Sequence, residues 1–131
     1  MRFVDTSFWV GLYLRRDAHH AGSLALWRSQ RGGLVTTNLV LGETWTFVRR
    51  RDSFRMATEL IDALSRSQSV AVHRIDEAVE DEAWRWLRRH DERAYSFVDA
   101  TSFALMRRLR IREALAFDGD FSAAGFVELR P

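Results

Sequence analysis

The chain contains no cysteine and no lysine, and its only proline is the last residue, Pro131. The missing cysteine excludes disulfides, thiolate zinc sites and cysteine nucleophiles. The missing lysine excludes Schiff-base chemistry, a phosphate-loop lysine and the lysine of receiver domains, although a compositional bias of the genome explains it more simply. No apolar run approaches the roughly 20 residues of a membrane span. With no signal-peptide pattern either, we expect a cytoplasmic protein that does not enter the membrane.

The length of 131 residues suits one domain, and we expect residues 1–131 to form it. Hydrophobic residues make up 47% of the chain, which is typical of a globular protein. All 20 basic residues are arginine and they face 18 acidic ones, so the formal charge is only +2. The isoelectric point of about 9.9, which reflects the arginines, weakly favours a polyanionic partner.

Short apolar runs alternate with stretches of helical periodicity along the whole chain. The pattern predicts strands over 2–5, 34–37, 69–75, 114–117 and 126–129, and helices over 8–14, 19–31, 39–51, 53–66, 76–90 and 97–109. The expected helix caps are Thr6 or Ser7, then Asn38, and then Ser96 or Asp99. Nearly continuous apolar strands indicate a parallel sheet that is covered on both faces. The predicted fold is therefore α/β, a three-layer α/β/α sandwich with a short parallel sheet.

Four acids lie where such a fold places a site, beyond the carboxyl ends of its strands. Asp5 ends the first strand and Asp118 follows the fourth, while Glu43 and Asp99 lie within apolar helical segments. Each has an ordinary explanation when taken singly: a helix cap, an arginine partner, a helix-dipole acid or a turn residue. Taken together they favour a site for a hard cation, Mg²⁺ or alternatively Mn²⁺, bound by oxygen ligands. Such a metal can activate water and stabilise charge on a phosphodiester.

These residues resemble the motifs of PIN domains, in particular the VapC-type toxins of bacterial toxin–antitoxin pairs. The likeness rests on Asp5-Thr6-Ser7, on Glu43, on the segment 96–100 and on the segment 116–121, in that order. It implies a Mg²⁺-dependent ribonuclease whose catalytic and metal-binding acids are Asp5, Glu43, Asp99 and Asp118. Asp120 is a further candidate ligand, and Thr6 and Ser96 match supporting polar positions that hydrogen-bond an acid or a water.

The same resemblance implies an RNA substrate, with tRNA as one candidate, a cognate antitoxin and a homodimer. Phe8, Trp9, Leu12 and Tyr13 suit either an antitoxin surface or ordinary packing. The arginine clusters at 49–51, 88–89 and 107–112 suit either solvated helix surfaces or RNA phosphates. Trp84 lies off the apolar face of its helix, and we expect it to be exposed. His19 and His20 are expected at an exposed helix start, because adjacent helical residues do not share a face.

Two alternative functions come from other classes. The first is a phosphatase or phosphotransfer domain with Asp5 as the nucleophile. Haloacid-dehalogenase-like enzymes require a second aspartate two residues later, where this chain has Ser7. The second is a non-catalytic PIN-like module that binds RNA or protein, against which the full set of four acids argues.

Overall fold

A computed structural model describes residues 1–131 and contains one five-stranded, entirely parallel sheet with the strand order β3-β2-β1-β4-β5. The strands are β1 (Arg2–Val4), β2 (Leu34–Thr37), β3 (Val70–His73), β4 (Glu113–Leu115) and β5 (Val127–Glu128). Successive residues of a strand point to opposite faces of the sheet. Phe3 and Val4 are both fully buried, and so is every residue of β2, so helices cover both faces at the centre of the sheet, whereas Ala71 and Val72 of the edge strand β3 are exposed. The predicted α/β fold with a parallel sheet is confirmed.

Seven helices connect and cover the strands. They are α1 (Thr6–Tyr13), α2 (His20–Ser29), α3 (Asn38–Arg51), α4 (Phe54–Arg66), α5 (Glu77–Arg88), α6 (Phe97–Leu109) and α7 (Asp120–Ala123). None of them has the length and apolar character that a membrane crossing requires. Six correspond to predicted helices, whereas α7 is a single short turn that the sequence pattern did not indicate.

The strand order creates a topological switch point between β1 and β4. From β1 the chain proceeds outward to β2 and β3, and it then returns to place β4 on the other side of β1. Val4 pairs with Leu115, and the Asp5 amide continues this pairing by donating to the Leu115 carbonyl at 3.1 Å. Residues that follow β1 and β4 therefore emerge next to each other, at the position where parallel α/β sheets bind ligands.

Two predicted helix caps are wrong. Helix α1 is capped by Asp5, whose carboxylate accepts the Ser7 amide, so Thr6 and Ser7 already belong to the first turn. Helix α3 is capped by Thr37, one residue before the predicted Asn38. The Asn38 side chain instead accepts the amide of Ile75 at 2.8 Å and ties the segment after β3 to α3. Of the two candidates for α6, Ser96 is the cap.

Of the two interpretations that the sequence left open for Phe8 and Trp9, a partner surface or ordinary packing, the structure supports packing. Both side chains have no exposed surface and lie in the hydrophobic core, whereas Leu12 and Tyr13 are half-buried. Trp9 packs against Phe8 and Trp27 with ring centroids 5.8 and 6.1 Å apart. Trp84, in contrast, is 46% exposed, as expected.

Candidate active site

A cleft of about 290 Å³ opens at the switch point, where β1 and β4 end. The four predicted acids, Asp5, Glu43, Asp99 and Asp118, all contribute to its lining. They come from the end of β1, the middle of α3, the first turn of α6 and the segment after β4. The fold therefore brings together in one cleft side chains that lie more than 110 positions apart in the sequence.

Asp5 is the most buried of these acids, with 3% of its surface exposed. Its Oδ2 accepts the Ser7 hydroxyl at 2.9 Å and the Ser7 amide at 3.2 Å. The same hydroxyl oxygen accepts the amide of Phe117 at 3.0 Å. Ser7 thus connects Asp5 to the segment after β4 and fixes the orientation of its carboxylate.

Asp99 is buried in the first turn of α6, where it completes a capping box. The Ser96 hydroxyl accepts the Asp99 amide at 2.9 Å, and Asp99 Oδ2 accepts the Ser96 amide at 3.0 Å. One carboxylate oxygen is therefore used to begin the helix, while Oδ1 makes no hydrogen bond within the protein. Asp99 therefore both caps α6 and lines the cleft.

Asp118 lies on the segment that joins β4 to α7, and Asp120 is the first residue of α7. Single carboxylate oxygens of Asp99, Asp118 and Asp120 all lie within 4.8 Å of one another. Asp120 is also bound by Arg93, whose Nε donates to Oδ1 at 2.6 Å. Arg93 contacts Asp118 only at its backbone carbonyl, at 3.1 Å, so the Asp118 carboxylate has no arginine partner; it lines the cleft, whereas Asp120 does not. Asp5 and Glu43 lie outside this closest group of three oxygens.

Glu43 is half-buried on α3 and is positioned by Thr6. The Thr6 hydroxyl donates to Glu43 Oε1 at 2.8 Å, and the Thr44 hydroxyl donates to Thr6 at 3.3 Å. Glu43 makes no ion pair with arginine, which was the ordinary explanation of an acid in this helix. Its Oε2 has no protein partner and is available to a metal ion or to water in the cleft.

The electrostatics of the cleft disfavour several simultaneous negative charges. Burial raises the pKa of Asp5 from 3.8 to about 8, and the charges of Asp118 and Asp99 add to this effect against the hydrogen bonds from Ser7. Burial likewise raises the pKa of Asp99 to about 6, with further contributions from Asp120 and Asp118. The pKa of Asp118 is also raised, chiefly by burial. A bound cation would offset the repulsion that these groups experience.

The donor set fits a hard divalent cation. Every candidate ligand is a carboxylate oxygen, three such oxygens converge within 4.8 Å, and no histidine or cysteine belongs to that group. Oxygen ligands of this kind suit Mg²⁺ or Mn²⁺ rather than zinc. The residues present therefore fit a divalent metal.

Five further residues line the cleft that were not predicted there: the polar residues Ser7, Asp17 and His19, and the apolar residues Val10 and Phe47. Asp17 follows α1 and is bound by Arg51, with Nη1 and Oδ1 2.6 Å apart. Its other oxygen accepts the His19 amide at 3.0 Å. Only the pattern Asp17-Ala18-His19, an acid shortly before a helix, signalled a cap-like turn here, and nothing in the sequence indicated that this turn reaches the cleft.

The arginine clusters differ in their distance from the cleft. Arg50 and Arg51 line a larger groove along α3, of about 830 Å³, which shares Glu43 and Phe47 with the acidic cleft. Arg107, from another cluster, lies over the ring of Trp86 at 5.7 Å, on the helix pair formed by α5 and α6. The cluster at 49–51 is therefore the one beside the acids.

Comparison with known proteins gives consistent similarities over the whole chain. The family model of the PIN domain matches residues 2–127. The 23S rRNA-specific endonuclease VapC20 of Mycobacterium tuberculosis is 54% identical over 131 residues, which is 100% of this chain and 99% of that protein. A VapC ribonuclease of Archaeoglobus fulgidus is 27% identical over 124 residues, which is 91% of this chain and 78% of that protein.

The crystal structure of Mycobacterium tuberculosis VapC20, a toxin that cleaves the sarcin-ricin loop, matches this structure with a TM-score of 0.95. The two sequences are 53% identical in that comparison, and all of each chain is covered. The agreement in fold thus extends from the first strand to the last residue.

Proposed function

Because this chain belongs to the PIN domain family, we propose that it is a metal-dependent endoribonuclease that acts as a toxin. The observation that carries the proposal is the convergence of Asp5, Glu43, Asp99 and Asp118 on one cleft at the switch point of the sheet. Relatives of 54% and 27% identity are named as an endonuclease and a ribonuclease, which supports the same chemistry.

The acids of this chain would hold the metal and set its position. Asp5, Asp99 and Asp118 are the proposed principal ligands, with Glu43 beside them and Asp120 as a further candidate. A divalent ion bound there supplies a Lewis acid that activates water and offsets charge on the phosphodiester. Ser7 and Ser96 hold Asp5 and Asp99, and Thr6 orients Glu43. Such second-layer hydrogen bonds fix ligand orientation.

We infer that Mg²⁺ is the working metal, with Mn²⁺ as a substitute. Both ions prefer carboxylate and water ligands, and Mg²⁺ commonly acts in phosphoryl chemistry with only a few protein carboxylates. Arg50 is the proposed phosphate contact, because it lines the groove that continues from Glu43 and, unlike Arg51, has no acidic partner. A guanidinium matches phosphate geometry and keeps its charge at any physiological pH.

We infer 23S rRNA as the target, because the relative of 54% identity is specific for it and matches this chain along its full length. tRNA stays the alternative target. A cognate antitoxin is the proposed protein partner, since the similar VapC20 is described as a toxin. Homodimer formation and a cytoplasmic location are also proposals, the latter supported by the need to reach ribosomal RNA.

The alternative functions receive less support from the site. The position at which haloacid-dehalogenase-like enzymes carry a second aspartate is Ser7, whose hydroxyl and amide both donate to Asp5 Oδ2. A non-catalytic module has no use for four acids held by dedicated hydrogen bonds in one cleft.

The test is cleavage of purified 23S rRNA with Mg²⁺ and with EDTA, by the wild type and by Asp5→Asn and Asp99→Asn. We expect discrete fragments that require the metal, and a loss of at least about 100-fold in each variant, since each removes a metal ligand. Asp62→Asn, which alters an exposed acid of α4, is the matched control. Cleavage in EDTA, or full activity in both site variants, would contradict the mechanism.

A further inference from the structure

Three aromatic rings form a nearly parallel series that leads from the core to the surface. The ring planes of Phe8 and Phe117 differ by 16° with centroids 6.2 Å apart, and those of Phe117 and His19 differ by 2° at 4.4 Å. Phe8 is fully buried, Phe117 is half-buried and His19 is exposed. The imidazole of His19 is thus the outermost ring of a stack that begins in the hydrophobic core.

The His19 backbone is held firmly in place. Its amide donates to Asp17 Oδ2 at 3.0 Å, and its carbonyl accepts the Ser23 amide at 2.8 Å. Asp17 is itself fixed by Arg51 at 2.6 Å. Gly11 permits this arrangement, because a Cβ at that position would lie only 3.3 Å from both the Cβ and the carbonyl oxygen of His19. Residues of α1, α2 and α3 therefore fix the position of the exposed ring.

This ring lies at the acidic cleft. His19 lines the cleft together with Asp5, Asp99 and Asp118. Its stacking partner Phe117 directly precedes Asp118 in the chain and donates its amide to Ser7. His20, in contrast, uses its Nδ1 to contact the carbonyl of Gly11 at 2.8 Å and does not line the cleft. The His19 ring thus packs on the same segment, after β4, that carries the proposed metal ligand Asp118.

We propose that the exposed face of the His19 imidazole stacks on a nucleobase of the RNA next to the phosphate that is cleaved. The inference rests on the proposed ribonuclease function. A flat ring at the edge of a carboxylate cleft suits a single-stranded nucleotide, because the metal site takes the phosphate while the attached base needs an apolar surface. Stacking on aromatic side chains is the common way in which proteins bind unpaired bases. His19 then positions the scissile bond over the acids.

The test measures kcat and KM on an oligoribonucleotide that carries the sarcin-ricin loop, for the wild type, His19→Ala and His19→Phe. We expect His19→Ala to raise KM roughly 5- to 150-fold, the range for loss of one base stack. His19→Phe keeps a flat ring and should restore KM to within about threefold of the wild type. Substrates with 2-aminopurine beside the cleavage site should show quenched fluorescence with the wild type and with His19→Phe only.

His90→Ala is the matched control, because His90 also stacks on an aromatic ring, that of Trp86 at 4.1 Å, but does not line the cleft. Its kinetic constants should equal those of the wild type. An unchanged KM in His19→Ala would overturn the inference and leave the ribonuclease function intact. An equal loss of kcat in His19→Ala and His19→Phe would also overturn it, since that result indicates proton transfer. An inactive wild type would refute the proposed function itself, and the inference with it.

Discussion

Asp118 and Asp120 are only two residues apart, yet their surroundings differ. Asp120 Oδ1 is bound by Arg93 at 2.6 Å, so part of its charge is already balanced. Asp118 has only its Oδ1 engaged by a backbone amide, that of Asp120 at 3.1 Å, and it faces the cleft with Asp5 and Asp99. The residue with the unbalanced charge is the better candidate for metal binding.

Asp118→Asn is therefore expected to weaken Mn²⁺ binding more than Asp120→Asn does. We expect a loss of about 10- to 100-fold for Asp118→Asn, as is typical when the ligand shell of a metal is disturbed, and a smaller loss for Asp120→Asn. Isothermal titration with Mn²⁺ measures both affinities. A larger loss of Mn²⁺ affinity in Asp120→Asn than in Asp118→Asn would assign the ligand role to Asp120. It would also show that Arg93 releases Asp120 when the metal binds.

Individual residues of the cleft could be predicted where a strand end or a helix pattern placed an acid, as for Asp5, Asp99 and Asp118. Ser7 and Asp17 could not be placed in the cleft in this way. The contact of Ser7 with the Phe117 amide depends on the register between β1 and β4, which are separated by more than 100 residues. Asp17 reaches the cleft because the chain turns back after α1, and Arg51 of α3 holds it there.

Two helices of this fold begin with the same cap chemistry but stand at different distances from the site. Ser96 accepts the amide of Asp99 at 2.9 Å at the start of α6, and Ser53 accepts the amide of Met56 at 3.0 Å at the start of α4. Only the first of these caps holds a residue of the acidic cleft. The pair therefore separates the structural effect of a lost cap from its effect on the site.

Ser96→Ala and Ser53→Ala should each lower the free energy of unfolding by about 1 kcal/mol, because each loses one cap hydrogen bond. Only Ser96→Ala should also reduce RNA cleavage, by about 10-fold, since the first turn that orients Asp99 loosens. Chemical denaturation and cleavage rates measure the two effects. Equal activity in both variants would show that the capping box supports the helix but not the site.

The elements themselves were predictable to different degrees. The buried strands and the amphipathic helices α4 and α5 carry clear patterns, and all were predicted. Helix α1 is apolar on almost every side, because Phe8, Trp9, Val10 and Gly11 are all buried. Such a helix has no polar face to show its orientation, so core and partner surface were equally compatible with its sequence. The two caps differ from the predicted ones by one or two residues because residues at the strand ends, Asp5 and Thr37, accept the first helical amides with their own side chains.

At the scale of the whole molecule, the fold separates charges that nearly cancel in the sequence. The sum of 20 basic and 18 acidic residues is +2, but several acids are gathered at the switch point of the sheet. Metal-free, these acids destabilise the folded state, because burial and mutual repulsion raise the pKa of Asp5 to about 8 and of Asp99 to about 6. The unfolded chain ionises both groups near 3.8. Ionisation therefore costs more in the folded protein than in the unfolded one.

The stability of the metal-free protein should consequently fall as the pH rises from about 4 to about 8. An acid with a raised pKa favours folding below its unfolded value, and this contribution is lost as the pH passes through the folded values of about 6 for Asp99 and about 8 for Asp5. Bound Mg²⁺ removes the cost of ionising these acids, so the Mg²⁺-dependent rise in Tm should grow with pH, by roughly 4 °C for each kcal/mol.

Without metal at pH 8, Asp5→Asn should melt at a higher temperature than the wild type, and this difference in Tm should vanish near pH 4. Asp62→Asn, which alters an exposed acid, should follow the wild type at every pH. A metal-free wild type whose Tm is constant or rises across this range would show that the cleft does not hold its acids under repulsion.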